Sequence, residues 1–182
     1  MAHIAILGLG NWGTAVARMW LLDGHKVKGW TIEQEVYESI IMEGINKKYL
    51  PDHSIEGIEV TMRLEEALEG VEIVVLAIPS SVILDVVDDV IPHLRPGHVL
   101  IDLAKGLAPG KRLISEAIHE KLDAANKTNP LAVVTGPTIA PEAAGGVMTT
   151  ALVASEDESV AKRLAETLTT QTFIIHSASY RV

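Results

Sequence analysis

The chain contains no cysteine. That absence excludes disulfides, thiolate zinc sites, iron–sulfur clusters and a thiol nucleophile. Aromatic residues are scarce, at 4%, which leaves no stacking platform for single-stranded nucleic acid. Basic residues are outnumbered: 15 Lys and Arg face 24 Asp and Glu, for a net charge of -9. A general nucleic-acid binder needs a basic face, so no nucleic-acid partner is expected. Long apolar runs are missing too. The longest, Ile73 to Pro79, falls far short of the ~20 residues that a membrane span requires. The first residues lack a positive n-region, and Gly8 and Gly10 cut their apolar run, so no signal peptide is expected and the cytoplasm is the expected compartment. The seven histidines show no metal-ligand spacing, and no metal is expected.

What is present is globular composition, 48% hydrophobic and 21% charged over 182 residues. That length fits one domain, residues 1–182. Short apolar runs alternate with stretches of helical spacing. The pattern predicts strands at 4–7, 26–30, 59–62, 72–78, 98–103, 131–134, 148–154 and 172–175. It predicts helices at 12–22, 34–43, 64–68, 81–93, 112–124 and 159–168. Ser155 with Glu158 three residues on reads as a capping box for the last helix. The run from Ile73 to Ile78 is apolar on both faces, as in a parallel strand covered by helices. This rhythm predicts an α/β fold: a doubly wound, mainly parallel sheet of the Rossmann type.

The strongest motif is Gly8-Leu9-Gly10-Asn11-Trp12-Gly13, between the first strand and the first helix. In that context G-x-G-x-x-G points to a dinucleotide. Gly8 makes the tight turn, Gly10 lets a pyrophosphate approach the backbone, and Gly13 lets helix and strand pack closely. The free N–H groups at the helix start suit the phosphates. The end of the second strand, where NAD and NADP are told apart, reads Trp30-Thr31-Ile32-Glu33 and carries no Arg. Glu33 either reaches the ribose or is simply a first-turn helix acid. Lys105-Gly106 and Thr135-Gly136-Pro137-Thr138 each follow a strand, so both fall on the carboxyl edge of the sheet, where ligands bind. Taken alone, Lys105 reads better as a solvated surface lysine, and the second stretch could be a plain turn. Ser80 and Ser81 have no accompanying His/Asp arrangement, and Asp88-Asp89 reads as a charged helix face.

Together these residues resemble the NAD(P)-dependent glycerol-3-phosphate dehydrogenases. The resemblance rests on Gly8 to Ala15, Lys48-Tyr49-Leu50-Pro51, Ala77-Ile78-Pro79-Ser80, Lys105-Gly106 and Thr135 to Glu142, in order over nearly the whole chain. It implies hydride transfer at C2 between dihydroxyacetone phosphate and sn-glycerol 3-phosphate, a small phosphate substrate. It further implies that Gly8, Gly10, Asn11, Trp12, Gly13, Pro79 and Ala140 lie along the cofactor. Lys105 would be the catalytic residue near both cofactor and substrate, and Gly136 and Thr138 would touch the substrate. The family's position for cofactor choice falls on Ile32, which cannot pair with a 2′-phosphate, so NAD is favoured over NADP. A homodimer is a further expectation. The family's second active-site Lys belongs to a C-terminal helical domain with no counterpart in these residues. The 182 residues are therefore expected to bind nucleotide and turn over little. Two rival readings are a related β-hydroxyacid or ketopantoate-type reductase domain and a non-catalytic NAD-binding module. The Thr-Gly-Pro-Thr stretch argues against the first, and the presence of Lys105 with Thr138 against the second.

Overall fold

The computed structural model describes residues 1–179, without the side chain of Ser179. The elements run β1 (His3–Leu7), α1 (Asn11–Leu22), β2 (Lys26–Trp30), α2 (Gln34–Glu43), β3 (Glu59–Thr61), α3 (Leu64–Leu68), β4 (Ile73–Leu76), α4 (Ile83–Val90) and β5 (Val99–Asp102). They continue with β6 (Leu107–Ala108), β7 (Arg112–Leu113), α5 (Ile114–Ala124), β8 (Leu131–Thr135), α6 (Ala140–Ala144), β9 (Thr149–Ser155), α7 (Glu158–Leu168) and β10 (Phe173–Ser179). Eight strands form one sheet in the order β10-β9-β8-β5-β4-β1-β2-β3, and β6 and β7 form a separate two-stranded ribbon. From β3 across to β8 every pairing is parallel.

The alternation of side chains along each strand builds two cores. Ile4 and Ile6 of β1 face Val16, Trp20 and Val36 of α1 and α2, in a layer that continues to Leu164 of α7. Ala5 and Leu7 face the other way, onto Ala67, Val87 and Ile118 of α3, α4 and α5. Both faces are covered, which is why the central strands carry no polar alternation: β4 and β5 are buried at every residue. Trp20 is 1% exposed, and its indole N–H is still satisfied by the Leu168 carbonyl at 3.1 Å.

Several predicted boundaries move. The helix expected at 81–93 starts at Ile83 and ends in a short 3-10 turn over Ile91–His93. The helix expected at 112–124 starts at Ile114, because Arg112 and Leu113 pair with β6. The capping box of Ser155 and Glu158 does not form. Asp157 caps α7 instead, accepting from the Ser159 N–H at 2.8 Å, while the Ser155 hydroxyl donates to the Leu131 carbonyl at 2.7 Å. β10 runs on to Ser179, and residues 180–182 lie outside the described residues.

The sheet also departs from a fully parallel one: β9 runs antiparallel to β8, and β10 parallel to β9. A parallel return needs a crossover to the far edge. Here residues 136–148 stay at the carboxyl edge, where α6 packs on α1. The chain thus re-enters the sheet from the side it left.

Candidate functional site

Strand order reverses between β1 and β4, whose connections leave to opposite sides. Such a switch point leaves a crevice at the carboxyl ends of the strands. The turn after β1 is built to be narrow. Gly8 has φ 99°, a conformation that side chains rarely adopt, and a Cβ there would lie 2.5 Å from the Ala77 carbonyl oxygen. A Cβ on Gly13 would lie 1.9 Å from the Gly8 carbonyl oxygen. Gly10 differs: its φ is -75°, and a Cβ there would meet nothing within 4 Å. Nothing in the fold itself therefore demands glycine at position 10. The space beside it is open. The first helical bond of α1 runs from the Thr14 N–H to the Gly10 carbonyl at 2.9 Å, so the N–H groups of Asn11, Trp12 and Gly13 have no helix carbonyl to bond. Its first turn holds no acid. This helix start suits an anion.

A cavity of about 600 Å³ opens there. It brings together Gly8, Gly10, Asn11, Trp12, Gly13, Ile32, Pro79 and Lys105. A second cavity, of about 280 Å³, is lined by Gly136 and Thr138 and shares Trp12, Leu103, Ala104 and Lys105 with the first. Ala140 lines neither. It packs against the small cluster of Ala15, Leu50 and Ala144, as Trp12 also does. Gly136 has a reason of its own to be glycine: a Cβ would lie 2.6 Å from the Thr150 carbonyl oxygen of β9. Lys105 is exposed, and its ammonium has no hydrogen bond or ion pair among the described residues.

At the other end of the large cavity, Glu33 stands at the N-cap of α2. Its carboxylate accepts from Lys48 Nζ at 2.5 Å and from the Tyr49 hydroxyl at 2.9 Å. Lys48 also binds Glu35. These bonds, the one from Lys48 foremost, hold the Glu33 carboxyl below its ordinary range, and they raise the ammonium of Lys48 in return.

Two supporting residues carry no signal of their own in the sequence. Asn46 is 0% exposed and fully bonded. Its amide donates to the Leu9 carbonyl and to Thr14 Oγ1, both at 2.8 Å, and its carbonyl accepts from the Tyr49 N–H at 3.2 Å. It ties the glycine turn to the Lys48-Tyr49 segment. The Asn-x-x-Tyr spacing is the one trace that could have pointed to it. Asp102 ends β5 with 2% exposure. Its carboxyl accepts from the Ala104 N–H at 2.8 Å, and burial pushes its pKa up to about 6.

Residues 3–161 match the family model of the NAD-dependent glycerol-3-phosphate dehydrogenase N-terminus. The chain belongs to that family. It is 32% identical to a glycerol-3-phosphate dehydrogenase [NAD(P)+] of Syntrophotalea carbinolica, covering 97% of this chain and 54% of the relative. The corresponding enzyme of Halothermothrix orenii is 33% identical, over 96% of this chain and 50% of its own. The crystal structure of glycerol-3-phosphate dehydrogenase from Coxiella burnetii superposes with a TM-score of 0.89 at 32% identity, covering 97% of this chain and 54% of that one. The chain thus spans about half the length of its glycerol-3-phosphate dehydrogenase relatives. A UDP-D-ManNAc dehydrogenase from Pyrococcus horikoshii, at 18% identity and a TM-score of 0.77, shares the fold. Among the described residues no helix is long and apolar enough to cross a membrane, and no His, Asp and Glu cluster could hold a metal ion.

Proposed function

We propose that residues 1–182 form the dinucleotide-binding half of an oxidoreductase that interconverts sn-glycerol 3-phosphate and dihydroxyacetone phosphate, with NAD preferred to NADP. The observation that carries this reading is the continuity of the two cavities through Trp12, Leu103, Ala104 and Lys105. One cavity has the form of a dinucleotide crevice. The other is small, polar and directly adjacent. Bound NAD(H) supplies or accepts the hydride.

The chain's own residues do the rest. Gly8 and Gly13 hold the turn, and the N–H groups of Asn11, Trp12 and Gly13 meet the pyrophosphate in the space beside Gly10. Pro79 walls the crevice on the β4 side. Each carboxylate oxygen of Glu33 makes one bond within the chain and keeps a lone pair for a ribose hydroxyl. Ile32 is 74% exposed at the same corner and offers a 2′-phosphate no cation. Lys105 Nζ, without a bond partner among the described residues, donates to the substrate oxygen where negative charge develops. Gly136 and Thr138 line the substrate end, and Ala140 packs on the same cluster as Trp12 at the cofactor end. The same reading includes a cytoplasmic location and a homodimer, which fractionation and light scattering test.

Titration of the chain with NADH, followed by nucleotide fluorescence, tests the core of the reading. Saturable binding, displaced by NAD and tighter than that of NADPH, is expected. Absence of binding refutes it.

A further inference from the structure

Lys48 lies outside the glycine motif, on the loop between α2 and β3, yet its ammonium is bonded to Glu33 and Glu35 at the corner where the large cavity ends. It stands 5.5 Å from the centroid of the Tyr49 ring. Glu33 and Tyr49 both line that cavity. The corner therefore holds two carboxylates, one ammonium and a phenol, packed around the end of β2. An uncompensated carboxylate at this place would accept ribose hydroxyls and repel a phosphate dianion. Lys48 removes much of that repulsion. Its side chain is 40% exposed, so its charge lies close to solvent at the corner where Glu33 lines the cavity.

We propose that Lys48 is a specificity-determining residue: by pairing with Glu33 it lowers the barrier to a ribose 2′-phosphate and narrows the preference for the dephospho cofactor. Tyr49 acts with it as a positioning residue. Its hydroxyl holds one oxygen of Glu33 while Lys48 holds the other, so the carboxylate keeps one orientation. Asn46 extends this hold to the backbone by accepting from the Tyr49 N–H. The inference rests on the dinucleotide reading above.

The test is the ratio of dissociation constants for NADPH and NADH, measured by nucleotide fluorescence on the full chain at low and physiological salt. Lys48→Met keeps the aliphatic stem and removes the charge. It should raise the NADPH to NADH ratio roughly fivefold, the size of one unit-charge interaction across about 4 Å of water. The rise should shrink with added salt. Lys48→Arg restores a cation and should return the ratio toward that of the parent. Glu33→Gln should lower the ratio. Circular dichroism and the denaturation midpoint establish that each variant is folded. A Lys48→Met ratio within about twofold of the parent overturns the proposal, as does an equal loss of both cofactors. Failure of the parent to bind either nucleotide defeats the dinucleotide reading instead, so the two failures are distinct.

Discussion

Replacing Asp102 by Asn should make the folded chain more stable at pH 8 and leave it no more stable at pH 4. Asp102 sits at the end of β5, flanked in register by Leu76 of β4 and Val133 of β8. Among the described residues, the one hydrogen bond that its carboxyl accepts comes from the Ala104 N–H. Burial is the larger effect, and it lifts the carboxyl to about 6 from an ordinary 3.8. A carboxyl raised in this way binds its proton more tightly in the folded chain than in the unfolded one. Between pH 4 and pH 6 the folded state therefore carries more protons, and stability falls as the pH rises through that window. Each tenfold change in proton affinity is worth ~1.4 kcal/mol, so ionised Asp102 costs the fold about 3 kcal/mol at neutral pH.

Asn keeps an oxygen that can accept from Ala104 and carries no charge to desolvate. Its new NH₂ group needs a partner of its own, which offsets roughly 1 kcal/mol. A net gain of about 1–3 kcal/mol at pH 8 is expected. Urea denaturation of the parent and of Asp102→Asn at pH 8, 6 and 4 measures it, and the difference between the two curves cancels the other titrating groups. An identical difference at pH 8 and pH 4, or no gain at pH 8, refutes the argument. Either result would mean that Asp102 is solvated well enough to ionise freely in the fold.

Two further substitutions separate binding from folding. Gly10→Val should abolish NADH binding with the denaturation midpoint unchanged, because a Cβ at Gly10 meets nothing within 4 Å. Retained binding would move the phosphates elsewhere. Asn46→Ala should do the reverse in kind, costing stability of about 2–3 kcal/mol by urea denaturation, since it leaves the buried Leu9 carbonyl and the Tyr49 N–H with one partner fewer. A loss below about 0.5 kcal/mol would show that water replaces the amide.

The parts of the fold that the sequence reveals are those governed by local rules. The run from Ile73 to Ile78 is apolar throughout because β4 is buried on both faces, so its period was absent in the way a central parallel strand requires. Gly8 and Gly13 are legible because the turn and the close packing each demand a small residue at a fixed offset, whereas Gly10 is legible only from its place in the motif, since the space beside it is open. The direction of β9 is not legible in this way. It depends on α6 packing on α1, a contact far apart in the chain. The same holds for the Ser155 hydroxyl, which reads as a cap but is taken by the Leu131 carbonyl of the neighbouring strand. Glu33 admits two readings for an equivalent reason. It stands at the N-cap position of α2 with no side-chain cap bond and lines the cavity, and its partners Lys48 and Tyr49 come from a loop whose placement no periodicity encodes.

The two cavities meet at a wall made of Trp12 on one side and Leu103 to Lys105 on the other. Each side is anchored by a buried polar group that touches no ligand space itself. On the first side, Asn46 binds the Leu9 carbonyl and Thr14, which fixes the turn that carries Trp12. Trp12 in turn packs edge-on against Phe173 of β10, with ring centroids 5.9 Å apart. On the second side, Asp102 binds the Ala104 N–H, one residue before Lys105. In the role proposed for it, Lys105 would place its ammonium on four flexible side-chain bonds, so the backbone beneath it is the part that the fold can fix. A buried, desolvated carboxylate is a costly way to fix it. Its presence fits a site that holds the Lys105 loop at the expense of stability, and the gain expected for Asp102→Asn is the measure of that cost.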